Sequence, residues 1–217
     1  MTGAKPIRGA ILTGDLIGST KVSAGAVEAT MAALAAAFAE MDGWPSGVPS
    51  RFTRHRGDGW QAAVAPAGRA LRASLFVTAR LRAADTGLAT RIAIGLGEFG
   101  ESGLLAEAHG QPFEESGHAL DSLGRGERMA LGCGGTDPLH QAIIALLDER
   151  TSRWSREQAE AMALYLVPES QTLASIAARL ELSTQAVHYR LTGAGYQAIG
   201  KAVIQWETGF AAMGERR

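Results

Sequence analysis

The sequence is short of several things, and each shortage excludes something. One cysteine, Cys133, occurs in 217 residues, so the chain forms no internal disulfide and no multi-cysteine zinc site. The formal net charge is -1. Bulk charge therefore steers the protein neither toward nor away from nucleic acid, and only a local patch could do so. No stretch approaches a membrane span, and the apolar run at 9–17 is broken by Thr13-Gly14-Asp15. The opening residues, Met1-Thr2-Gly3-Ala4-Lys5-Pro6, lack the apolar segment of a secretory leader. A cytoplasmic location without membrane partners is the expectation. His109, His118 and His140 share no metal-ligand spacing. The glycines at Gly95 and Gly97 lack the following helix of a phosphate-binding loop.

What is present is ordinary globular material. Hydrophobic residues make up 46% of the chain, enough to build a core in one or two domains. Residues 7–17 read as a central strand fenced by Pro6 and Gly18. Residues 21–42 read as a helix, with Val27, Met31, Leu34, Phe38 and Met41 on one apolar stripe. Residues 51–64 read as a hairpin turning at Gly57-Asp58-Gly59. A second helix over 67–84 turns Leu71, Leu75 and Leu81 inward, and 91–99 alternate as a strand. A short helix at 113–123 and a strand at 127–131 follow. Asp137-Pro138 then opens a helix with Asp137 as cap, carrying Leu139, Ile143, Leu146 and Leu147. The order β-α-β-β-α-β-α-β-α predicts an α/β (α+β) sandwich of ferredoxin-like type, with helices on one face of a mainly antiparallel sheet.

From about residue 153 no strand candidate remains. A boundary near Thr151-Ser152-Arg153 divides the chain into a sheet domain, 1–150, and an all-helical domain, 151–217. The last helix, from Tyr196, carries Ile199, Val203, Trp206 and Phe210 on one stripe. That stripe suits a homodimer contact or a core.

Two stretches carry chemistry. In the first, Gly14-Asp15-Leu16-Ile17-Gly18-Ser19-Thr20, a strand delivers a carboxylate to a sheet edge beside hydroxyls and a helix start. Amides at a helix start attract phosphate, and a carboxylate can hold a divalent cation. In a ferredoxin-like sheet the hairpin lies beside the first strand, so Asp58 can converge with Asp15. Such a pair suits a nucleotide with Mg2+ or Mn2+. Each aspartate also has a plain alternative, as a cap or turn residue. The second stretch is Gln171–Leu191. Thr184, Gln185, His188, Tyr189 and Arg190 stand on the outer face of its second helix, and Ser183 can cap that helix and donate to phosphate.

Both stretches resemble known families. Gln171–Leu191 resembles a bacterial helix-turn-helix, with Ile176-Ala177, Leu180, Leu182-Ser183, Val187 and Leu191 as its marks. That resemblance implies DNA contact by Ser183, Thr184, Gln185, His188, Tyr189 and Arg190. Gly14–Thr20, Arg56-Gly57-Asp58-Gly59-Trp60-Gln61-Ala62 and Ile92–Glu98 are similar to three successive motifs of class III nucleotide cyclases. The resemblance covers about 8–132. It implies metal ligation by Asp15 and Asp58 with the Leu16 carbonyl, phosphate contacts from Gly18, Ser19 and Thr20, and base selection by Arg54 and Glu107. The whole arrangement resembles the SatD family of bacterial proteins, as does Gly110–Leu120. The chain departs from active cyclases at Glu114 and His118, where they carry an Asn and an Arg. An acidic group there opposes the charge that builds on phosphate. The expected function is thus a cytoplasmic, dimeric DNA-binding regulator with a degenerate cyclase-like sensory or scaffolding domain and no catalytic residues. An active metal-dependent cyclase or nucleotidyl transferase, and a dimeric assembly module, are the alternatives.

Overall fold

A computed structural model describes residues 6–45, 48–55, 57–100, 105, 108–134, 136–169 and 171–215, with side chains at 6, 48, 49 and 212–215 left aside. Arg56 and Glu107 lie outside the described residues. Five strands form one sheet in the order β2-β3-β1-β4-β5. They are β1 (Pro6–Ile17), β2 (Val48–Arg54), β3 (Gly59–Ala65), β4 (Ala89–Gly100) and β5 (Met129–Leu131). β1 pairs antiparallel with both β3 and β4, and β5 adds parallel to β4. The first four strands keep the ferredoxin-like order that the sequence predicts.

Alternation along β1 sorts its side chains between two layers. Leu12 and Leu16 enter the main core with α1 (Ala24–Met41) and α2 (Ala70–Ala84). Ile11 enters a second core with Phe99 and Phe113 on the opposite face. That face is covered by α3 (Gln111–Ser122), whose Ser116 hydroxyl lies 2.7 Å from that of Thr13. Helices therefore lie on both faces of the sheet, which corrects the one-faced expectation. The physical reason is Gly95. A Cβ there would collide with the Pro112 carbonyl, so only glycine lets α3 sit directly on β4.

The polar interruption of β1 also has a packing role. A Cβ at Gly14 would collide with the indole of Trp60, its pairing partner on β3. Trp60 is fully buried. Its indole N–H donates to the Thr90 hydroxyl at 2.9 Å, and that hydroxyl donates to the Asp15 carbonyl at 2.7 Å. The aromatic payload and its polar handle are thus both accommodated.

α1 is long and apolar enough to cross a membrane by length and composition, with mean hydropathy 1.3. The expectation that no stretch comes close is corrected on that point. In the fold its stripe of Met31, Leu34, Phe38 and Met41 is buried in the main core.

The remaining helices are α4 (Pro138–Ser152), α5 (Arg156–Tyr165), α6 (Leu173–Leu180), α7 (Thr184–Ala194) and α8 (Tyr196–Glu215). Asp137 and Ser155 cap α4 and α5, each in a reciprocal capping box. α5–α8 do not stand clear of the sheet layer. Buried residues from both sides of 150/151 join one cluster, among them Leu71, Leu75, Ile144, Met162 and Trp206. Polar ties reinforce it. Arg72 donates to Glu207 at 2.7 and 2.8 Å and to the Leu166 carbonyl at 3.1 Å, and Arg82 reaches the Ser152 carbonyl at 2.9 Å. On α8, Ile199, Val203 and Trp206 are buried inside the chain, so this stripe serves as core. Of the apolar residues that the sequence places on α4, Leu147 is buried, whereas Leu139 and Leu146 are each 72% exposed.

Candidate functional site

The β1 corner assembles as the topology requires. Asp15 stands near the end of β1, opposite Gly59 on β3 and Arg91 on β4. Asp58 sits in the turn leading into β3, closed by a 2.8 Å bond from the His55 amide to the Gly59 carbonyl. Ser19 donates its hydroxyl to Asp58. The structure thus gathers Asp15, Asp58 and Ser19 at one edge.

It also brings in a residue that the sequence did not single out. Arg91 grips the Asp15 carboxylate with both arms, Nε to Oδ1 at 2.8 Å and Nη2 to Oδ2. This bidentate fork is the strongest arrangement available to such a pair. The hydrogen bond to Asp15 raises the Arg91 guanidinium above its ordinary pKa; burial opposes this, while the charges of Asp15, Asp121 and Asp58 add to it. The signal for Arg91 lay in strand register. It opens the alternating run of β4, and antiparallel pairing places it across from Asp15.

The donor set can be tested against the metal that the cyclase resemblance implies. A divalent cation needs carboxylate oxygens facing it. Both Asp15 oxygens face Arg91, and Asp58 faces a serine hydroxyl. Among the described residues no group of three His, Cys, Asp or Glu converges on a point. As arranged, the Asp15 carboxylate takes its counter-cation from within the chain.

The phosphate side differs from expectation as well. Gly18 has φ +79° and begins a separate 3-10 turn at Ser19–Lys21. The long helix starts only at Ala24, where Ser23 caps it by accepting from the Ala26 amide at 3.3 Å. Gly18, Ser19 and Thr20 are therefore not at the start of α1. Leu16 buries its side chain in the main core. Arg54 points to α1, donating to Glu28 at 2.7 and 2.9 Å and to the Gly57 carbonyl at 3.0 Å. Glu114 and His118 are exposed on α3. Beside Asp15, Leu16 and Gly18 lies a small open pocket of about 310 Å3, lined also by Arg91 and by Arg125 from the loop after α3.

The second candidate is α7. α6 and α7 are joined by Glu181-Leu182-Ser183. Glu181 takes the left-handed conformation at φ +55°, and the Leu182 amide donates to the Ala177 carbonyl at 3.0 Å. Ser183 caps α7 by accepting from the Ala186 amide at 3.1 Å. Ile176, Ala177, Val187, Leu191 and Ala194 bury the facing sides of the two helices. Thr184, Gln185, His188 and Tyr189 are left outward. Tyr189 is 81% exposed. Arg190 behaves differently: it is half-buried and held by Glu160 of α5 at 3.0 Å. It is spent inside the protein. Arg179 on α6 remains exposed.

The geometry thus defines a class: a ferredoxin-type α+β sheet carrying a four-helix tail. No family model matches the sequence, and no curated protein matches it. Among solved structures the chain is similar to a bacterial light-regulated adenylyl cyclase, with 11% identity and a TM-score of 0.43 over 60% of this chain. The match spans 44% of that cyclase's length.

Proposed function

We propose that the protein is a cytoplasmic DNA-binding regulator that reads the major groove with α7, and that the sheet is a non-catalytic scaffold. The observation that carries this reading is the outward face of α7. A helix of 11 residues, capped at its start, presents Thr184, Gln185, His188 and the 81%-exposed Tyr189 to solvent. An exposed aromatic on an otherwise polar face is the kind of group that recognition surfaces keep. The first turns of the second helix are where base edges are met. Gln185 suits adenine through its paired donor and acceptor, while Ser183 and Thr184 suit phosphate. The Arg91–Asp15 fork supports the scaffold half of the reading, because it supplies from within the chain the cation that a carboxylate corner requires.

With Arg190 engaged, few cations remain near α7. Phosphate neutralisation supplies most of the affinity in such complexes. Two copies on two half-sites would compensate, so the bound form is proposed to be a homodimer. The test is selection from a random duplex library with the full chain. Enrichment of one motif whose binding weakens on Gln185→Ala supports the reading. Recovery of random sequence after repeated rounds sinks it.

A further inference from the structure

The apolar residues of α4 divide into two sets. Ile144 and Leu147 enter the main core, while Leu139 and Leu146 lie largely in solvent. Apart from Tyr189, no large apolar side chain among the described residues is more exposed than these two. They stand seven residues apart, about two helical turns, and so share one face. Between them on that face lie Ala142, which is exposed, and Ile143, which is half-buried. No Asp, Glu, Lys or Arg occurs from Pro138 to Leu147. The other sides of α4 are already occupied. α8 runs beside it in the opposite direction: His140 meets the rings of Trp206 and Phe210 at 5.0 and 5.5 Å, and Arg150 donates to the Gly193 and Ala194 carbonyls at 2.7 and 3.1 Å, where α8 begins. Gln141 donates to the Leu131 carbonyl of β5 at 2.9 Å. Single exposed leucines are ordinary, but two on one face, with charge only at its ends, mark a contact surface.

Two features choose a second copy of this chain as the occupant. The first is charge. α4 begins on the exposed Asp137 and ends on Arg150 and Arg153, against the single exposed acid Glu149. A second α4 laid antiparallel sets an acidic start beside a basic end twice over, and opposes the two helix dipoles. A parallel copy sets like against like. The second feature is register. A two-fold axis between Ala142 and Ile143 puts Leu139 of each copy on Leu146 of the other, a self-complementary contact. The small Ala142 beside the axis lets the two backbones approach closely.

We propose that two copies of the chain pair through α4, antiparallel across that axis. This deepens the homodimer of the DNA reading, although the surface is argued without DNA. Arg150 also ties α4 to the end of α7, so the axis leaves one α7 on each side, as two half-sites on a duplex require. The test is sedimentation equilibrium of the full-length protein without DNA, at about 1–300 μM chain. A monomer–dimer equilibrium in the micromolar range is expected for so small a contact. Leu139→Glu and Leu146→Lys each set an unpaired charge against a leucine and are expected to weaken self-association at least about tenfold. Each new charge suits its own end of the helix dipole, so the unfolding midpoint is expected to hold. The two single variants mixed in equal amounts are expected to recover the dimer, because acid then faces amine at one contact and leucine faces leucine at the other. A chain that stays monomeric throughout the range, a dimer indifferent to both substitutions, or a mixture no better than its components overturns the proposal. Association of the unsubstituted chain into larger species of no fixed size overturns it as well. Because DNA is absent from the measurement, loss of the dimer leaves the α7 reading standing, and failure to enrich a duplex motif leaves the α4 contact standing.

Discussion

Removing Arg91 tests whether the β1 corner is held by an internal ion pair. The variant is Arg91→Met, which keeps the apolar stem and deletes the fork. The side chains of Arg91 and Asp15 are 34% and 25% exposed. The pair thus lies between a surface bridge, worth about 0–1 kcal/mol, and a buried one, whose disruption costs about 3–5 kcal/mol. Two charge-assisted bonds are lost, each worth about 1.5–3 kcal/mol when desolvated. Partial exposure reduces this, and about 1–3 kcal/mol of destabilisation is expected for Arg91→Met. The single change also leaves Asp15 beside Asp58 without the Arg91 guanidinium. The clean quantity is therefore the coupling from a double-mutant cycle with Asp15→Asn, measured by urea unfolding at neutral pH. It is expected at about 1–2 kcal/mol, with the double variant less damaged than the two singles summed. Independent sites add within about 0.3–0.5 kcal/mol. Additivity within that margin would mean that the fork contributes nothing, and the closed-corner argument would fall.

Three further outcomes follow from the structure. Asp148 is buried and accepts from the Arg128 amide at 2.7 Å; burial raises its pKa and outweighs the backbone hydrogen bonds that lower it. The folded state therefore holds this proton to higher pH than the unfolded chain does, so stability falls as pH rises from about 4, the usual aspartate value, through the raised folded value. Asp148→Asn keeps an acceptor and should flatten that part of the profile; an unchanged slope in urea titrations would count against it. Glu181 holds a left-handed turn at φ +55°, so Glu181→Gly should raise stability by about 0.5–1 kcal/mol after the loss of unfolded-state freedom is counted, and a lower melting temperature would contradict this. Finally, with both Asp15 oxygens engaged, ATP or GTP with Mg2+ or Mn2+ should leave the melting temperature unchanged. A ligand at about 100 times its Kd would stabilise by about 2.7 kcal/mol, so a shift that disappears in Asp15→Ala is the contrary result.

Much of the sheet was legible in the sequence because its signals are local. The alternation of β4, the apolar stripe of α1 and the Asp137-Pro138 start of α4 each fit within one element. Several misreadings involve contact between elements. Leu139 and Leu146 have the spacing of core residues, but α4 meets the rest of the chain through Ile144 and Leu147 instead. Placing α3 on the second face depends on Gly95 meeting Pro112, a contact that no periodicity announces. At the corner, Asp15 and Asp58 were visible as residue types, whereas Arg91 gained its role only from register across β1 and β4. The same holds for Arg190, whose sequence position suits a DNA contact until Glu160 is seen beside it.

The central claim is that α7 reads DNA through its outward side chains. Fluorescence anisotropy with the selected duplex, at about 50 and 200 mM salt, tests it most directly. The account predicts that Gln185→Ala weakens specific binding by about 1–3 kcal/mol and relaxes preference at one base pair. It also predicts that Tyr189→Ala weakens binding while leaving the unfolding midpoint unchanged. Equal affinity for selected and scrambled duplexes, or affinity indifferent to both substitutions, would contradict it.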